Sequence, residues 1–293
     1  MRAEALPAPP RPQSRRGVAL MLLAMALVPM IDVFAKQLAL QGLSALQIIF
    51  MRMAYGTVLM LPLMLWAHRG GGGGRGRRAS PLVSFLLGLT SLGAGVFFCR
   101  AVLAVDRRYA GDHLVQPLFV TLMSRYLLKE RVGALRWAAL AVGLIATLVI
   151  IRPGSGAFEP ASLLALASGA CMAAYAIIVR SGAGRYSALS VTFLTHAVAG
   201  LIALPLMVMV WQAPTAGQWL NGLNMALVGL AGQYLIIRAY DHCEASLLAP
   251  LSYTEIVTST LVSWWFFHQV PDALTFAGVA VLIGSAIAVA RSG

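Results

Sequence analysis

From residue 17 to residue 291 the chain is a succession of long apolar runs parted by short polar links. A run of about 20 apolar residues, wound as a helix, spans the hydrocarbon of a bilayer. Inside hydrocarbon every backbone N–H and C=O must find a partner within the protein, which leaves helices and closed barrels. Barrel strands alternate apolar and polar residues. These runs are apolar on all sides, so the fold class is an all-α polytopic membrane protein. Ten transmembrane helices are predicted, over 17–40, 45–67, 81–105, 113–129, 134–151, 161–179, 187–211, 218–240, 245–267 and 273–291. Charged residues make up only 11% of the chain, against about 25% in soluble domains.

The net charge of +12 does not mark a nucleic-acid binder, because its Lys and Arg lie mostly in short links. With the N-terminus inside, fifteen of them fall on the cytoplasmic side and three (Arg107, Arg108 and Arg152) outside. That asymmetry follows the positive-inside rule and places both termini in the cytoplasm. The six tryptophans, Trp66, Trp137, Trp211, Trp219, Trp264 and Trp265, sit near predicted span ends, as amphipathic indoles do at membrane interfaces. Residues 1–16 are rich in Pro and Arg without apolar periodicity and read as a disordered cytoplasmic tail. The run after Arg16 carries Asp32 and Lys36 and lacks a small-residue cleavage site, so it reads as a span and not as a signal peptide. Gly70 to Arg78 reads as a flexible basic loop. Cys99, Cys171 and Cys243 are isolated and give neither a disulfide framework nor a metal site.

An internal repeat constrains the topology further. The segment Gln116–Ile151 is an apolar run, a charged turn (Lys129, Glu130, Arg131) and a second apolar run, and its pattern returns 139 residues later. Thr121-Leu122-Met123-Ser124 becomes Thr260-Leu261-Val262-Ser263, and the turn becomes His268-Gln269-Val270-Pro271. The chain therefore divides into a first five-helix repeat, 17–151, and a second, 161–291. Five is odd, so the second repeat enters the membrane in the opposite orientation. Inverted repeats of this kind hold substrate near the midplane, between the repeats, and expose it to each side in turn.

Ten spans, the Pro117–Ser124 run leading into Glu130-Arg131-Val132, and the Ala249–Val257 segment APLSYTEIV resemble the EamA-type transporters of the drug/metabolite transporter superfamily. Within that family the chain is most similar to amino-acid exporters of the YddG type, which handle aromatic amino acids. The resemblance implies a bacterial inner-membrane exporter with a central cavity lined by both repeats. The family usually has Gly-Glu at the hairpin turn. Here Lys129-Glu130 keeps the acid and His268-Gln269 does not.

Charge within a span is costly and marks candidate functional residues. Asp32 and Lys36 lie one turn apart on span one, and Arg52 and Arg100 fall at similar depth on spans two and three. These four are candidates for an outer gate or a polar wall, with a structural ion cluster and a snorkelling Lys36 as the alternative. Glu255 lies deep in span nine beside Tyr253, with Pro250 loosening the helix, and its repeat partner is Gln116. A carboxylate there could receive a substrate ammonium, carry a proton, or tie helices together. Tyr55, Tyr175, Tyr234, Tyr240 and Tyr253 could stack on a ring or cation, although packing alone explains many such tyrosines. Gln233 could supply neutral hydrogen bonds, and mid-span His196 is either a packing residue or a ligand. Glu130 is expected at the cytoplasmic surface, capping span five.

Glu255 or Asp32 for an ammonium, Arg52 or Gln116 for a carboxylate, and tyrosines for the side chain suit an amino acid. Another metabolite, a cationic drug, or a passive channel or lipid-handling role are the alternatives. No HExxH, no G-x-S-x-G and no paired intramembrane Asp appears, so an enzyme is not indicated. No nucleotide-binding motif is present, and no cofactor is expected. The bilayer is the one macroscopic partner implied, and oligomeric state is left open.

Overall fold

The computed structural model describes residues 15–69, 79–104, 111–151, 160–267 and 273–291. The predicted tail up to residue 14, the loop from 70, the link bearing Arg107 and Arg108, Arg152, and the His268–Pro271 turn lie outside the described residues, as does the side chain of Arg100.

Twelve helical segments build the ten spans: α1 (Arg15–Leu27) and α2 (Pro29–Leu40), α3 (Ala45–Arg69), α4 (Pro81–Ala104), α5 (Gly111–Leu127), α6 (Ala134–Ile151), α7 (Pro160–Ser181), α8 (Ala188–Val210), α9 (Ala216–His242), α10 (Ala245–Ser252) and α11 (Thr254–Phe267), and α12 (Ala273–Arg291). Spans one and nine are each broken once. The first break precedes Pro29, whose ring nitrogen has no hydrogen to give the carbonyl of Met25. The Thr258 hydroxyl donates to that carbonyl at 2.7 Å and meets the need from the second repeat. The second break falls at Tyr253, three residues after Pro250. Val28 and Tyr253 both keep right-handed helical dihedrals, so each pair of segments still runs as one span.

The packing pattern is symmetric under exchange of the repeats. The α4–α7 packing has its counterpart in α1 and α2 against α9. Likewise α5–α7 matches the first span against α10 and α11, and α4–α8 matches α3–α9. The pairs α3–α8, α6–α12 and α5–α10 are their own counterparts. Nearly all extensive packing thus runs between repeats, and the helices group differently from the sequence. One bundle is α4, α5 and α7; the other is the first span, α9, and the ninth span. Each draws helices from both repeats, while α3–α8 and α6–α12 flank them. The two bundles meet through α5–α10, α7–α10 and α7–α9, toward the end that carries the start of α1 and the α5–α6 turn. That end also holds Arg125, Lys129, Arg131, Arg136, Arg180 and Arg185 and is called the basic end below.

Small residues permit these approaches, as expected where lipid leaves no hydrophobic force between helices. A Cβ at Gly88 on α4 would stand 2.6 Å from Val198 and 2.9 Å from the Ala199 backbone on α8. Gly88→Leu should therefore lower the unfolding temperature of the purified protein, at a cost of about 1–3 kcal/mol for overpacking. Gly284→Ala, where a Cβ meets nothing within 4 Å, should leave it unchanged.

Candidate functional site: the central cavity

Between the two bundles lies a cavity of about 160 Å³. Seven residues singled out in the sequence line it: Asp32, Arg52, Gln116, Tyr175, Gln233, Tyr240 and Glu255. Their distribution is uneven. Asp32 and Glu255 stand on one bundle, each in the first turn of the second half of a broken span. Arg52 reaches the cavity from α3, with its guanidinium against Gly229 of α9, where a Cβ would stand 2.9 Å from Nε. Among the described residues, the facing bundle offers only neutral groups: Gln116, Tyr175, Ser91, Ser168 and a wall of Ala94, Gly95, Met172 and Ala176. The cavity therefore has a charged side and a neutral, partly apolar side.

Tyr175 and Gln233 bridge the two bundles at the cavity wall. The Gln233 amide donates to the Tyr175 hydroxyl at 2.7 Å, from one bundle to the other. Tyr240, two turns further along α9, also lines the cavity and accepts a hydrogen bond from Arg180 on its carbonyl at 2.8 Å.

The structure places the other four expected residues elsewhere. Tyr253 is buried in a cluster with Leu140, Ala146 and Leu282, its ring laid over Gly143 of α6. Tyr55 donates to the Trp219 carbonyl at 3.1 Å and meets that indole edge to face. Tyr234 is 36% exposed on the outside of α9. His196 is fully buried, faces the Thr192 carbonyl with Nδ1 at 2.9 Å, and fills the space above Gly56. Facing a carbonyl, Nδ1 is the nitrogen placed to donate. Lys36 does not line the cavity. Met21, Met25, Met172 and the serines were not anticipated; nothing in their local pattern sets them apart from other apolar-helix residues.

Glu130 is the clearest departure from expectation. It is not at the surface and does not cap α6. Its side chain is turned inward, 9% of the residue exposed, onto the start of α10.

The model of the EamA-like transporter family matches residues 15–152 and again 160–291. The chain belongs to the EamA-like transporter family. It is a membrane transporter and not an enzyme, and the family model matches it twice along its length. It is 30% identical over 282 residues to a pseudopaline exporter of Pseudomonas aeruginosa, covering 95% of this chain and 97% of that one. It is 24% identical to an S-adenosylmethionine uptake transporter of Rickettsia prowazekii, covering 91% and 90%. A riboflavin transporter of Vibrio cholerae is 30% identical over 176 residues, 58% of this chain and 57% of that one. A crystal structure with 21% identity superposes with a TM-score of 0.75 over 95% of this chain and shares its fold. These relatives carry metabolites of different chemistry, so family membership alone does not single out the aromatic amino-acid exporters.

Proposed function

We propose that this EamA-family transporter exports amino acids, or metabolites built on an amino-acid head group, across the bacterial inner membrane. The basic end faces the cytoplasm in this reading, as the positive-inside rule requires. The observation that carries the proposal is the divided cavity. Asp32 and Glu255 offer carboxylates to an ammonium and Arg52 offers a guanidinium to a carboxylate, all on one side. The side chain of the substrate then lies against Ala94, Gly95 and Met172. A thioether beside small residues adapts to varied shapes, which favours a range of apolar and aromatic side chains. Gln116, Gln233 and Tyr175 complete the contacts as neutral partners. A volume of about 160 Å³ takes a group the size of one aromatic ring. A larger substrate requires the bundles to part.

Two of the relatives support the reading. The pseudopaline exporter is alike over nearly the whole of both chains and moves its substrate outward. The S-adenosylmethionine carriers handle a molecule that bears an amino-acid head group. The two repeats, 17–151 and 161–291, supply the two access routes.

The test is uptake of labelled phenylalanine, leucine and S-adenosylmethionine into proteoliposomes, with and without a proton gradient, for the parent and Glu255→Gln. Saturable uptake that falls at least about tenfold in Glu255→Gln is expected, since losing one charged hydrogen bond in a buried site is worth roughly 1.5–3 kcal/mol. Stimulation by the gradient would assign proton coupling. Rates that rise without saturation indicate a channel, and absence of uptake for all three substrates rejects the amino-acid reading.

A further inference from the structure

A buried charged network lies outside the cavity, at the basic end. Glu130 Oε1 accepts from the Ala245 amide at 3.1 Å and from Arg180 Nε at 3.2 Å, and Oε2 accepts from the Ser246 amide at 3.0 Å. These two amides open α10, and amides in the first turn of a helix have no partner within it. The residue that should cap α10, Glu244, makes no side-chain cap. Its carboxylate instead pairs with Arg136, which also donates to the Ser246 hydroxyl at 2.7 Å. The cap of a helix in the second repeat is therefore supplied by a carboxylate of the first, 115 residues away.

The chain bends sharply to make this possible. Lys129 holds a left-handed φ of 54°, at the position where a glycine would carry no strain. The Glu130 amide then bonds to the Ser124 carbonyl at 3.2 Å, and the side chain turns into the protein.

The network also crosses the boundary between the bundles. Glu130 lies in the turn that follows α5, and Arg180 in the last turn of α7, both of one bundle. Tyr240 and the Ala245–Ser246 amides belong to α9 and α10 of the other. Arg180 joins the network to the cavity, because the carbonyl it holds belongs to Tyr240, which lines the cavity wall. The basic end cannot open between the bundles while Glu130 remains on α10.

We propose that Glu130 is a releasable helix cap that latches the transporter shut at its basic end. Withdrawal of the carboxylate uncovers two amides of α10 and the Arg180 guanidinium together, so the latch opens as a unit. The Arg136–Glu244 pair acts as a second fastening beside it. The latch belongs to the conformational cycle whatever the substrate is, and its test needs none.

The test is labelling of a cavity reporter, Ser252→Cys, with Cys99, Cys171 and Cys243 replaced by serine or alanine, using a membrane-impermeant maleimide. Labelling is followed from each side, in sealed spheroplasts and in inverted vesicles. Glu130→Gln keeps the shape but loses the charge and one of the two carboxylate acceptors. It should raise the labelling rate at least about tenfold from the side the basic end faces, the scale of one lost charge-assisted bond, and lower it from the other side. Glu130→Asp keeps the charge and shortens the reach, and should give a smaller rise on the same side. It serves as the primary variant if Glu130→Gln fails to insert. Arg136→Glu should raise labelling as well, and Arg136→Glu with Glu244→Arg should bring it back toward the parent. Unchanged labelling in Glu130 variants whose elution and melting match the parent overturns the latch, as does an equal rise from both sides.

Discussion

Arg180→Met will lower the thermal unfolding midpoint of the detergent-purified protein by more than any substitution on its lipid-facing surface. Arg180 and Glu130 side chains are 6% and 5% exposed. Removing one partner of a buried ion pair leaves the other charge uncompensated, at a cost of about 3–5 kcal/mol. The lower end of that range is expected here, because the Ala245 and Ser246 amides continue to hold the carboxylate. The loss includes the Tyr240 carbonyl, which then has no guanidinium to satisfy it. Glu130→Gln combined with Arg180→Met should recover much of the stability, since a neutral amide needs no counter-charge. A comparison with Leu201→Ala, 69% exposed among lipid-facing residues, sets the scale of an ordinary surface change. If Arg180→Met melts with the parent, the network is too well hydrated to count as buried.

The spans were legible because hydrocarbon imposes a length on them. The predicted 134–151 and 273–291 coincide with α6 and α12, and 45–67 falls two residues short of α3. How the spans group was not legible. Faces that are apolar all round carry no direction, and the partner of α4 is decided by fits such as Gly88 under Val198. The site expected between the repeats consequently lies between bundles that mix them. Charged residues were the dependable guide to the cavity: an acid or guanidinium in hydrocarbon needs a reason, and Asp32, Arg52 and Glu255 all share one. Tyrosines were a poorer guide, because a hydroxyl is satisfied by any nearby carbonyl. Tyr55 found that of Trp219 and does not line the cavity, and Tyr175 found the Gln233 amide. Glu130 was misplaced for a different reason. Its position at a span end suggests solvent, and the groups that bury it come from a helix start whose proximity no local pattern reveals.

Arg52→Gln should abolish transport while leaving the protein folded and the basic end latched. Among the described lining residues Arg52 carries the only guanidinium, and two carboxylates share its cavity. Without it, a substrate carboxylate entering the cavity meets Asp32 and Glu255 with no cation to receive it. Like charges in a site of low polarity repel by several kcal/mol, far more than in water. A drop of about a hundredfold or more in the ratio of maximal rate to half-saturating concentration follows from losing a charged partner and gaining that repulsion. The accompanying change in stability should be modest, because glutamine fills most of the same space beside Gly229. Arg52→Lys distinguishes charge from geometry. Lysine restores the positive charge as a point, without the planar fork that pairs with a carboxylate through two parallel bonds. Partial transport in Arg52→Lys would show that field strength is the main need, and loss equal to Arg52→Gln would show that bidentate recognition is. Full transport in Arg52→Gln would remove the guanidinium from substrate binding, and with it the reason to place a carboxylate on that side of the cavity. The second pairing is then checked by Asp32→Asn, which should weaken binding of substrates with an ammonium and leave the labelling of the basic end as in the parent.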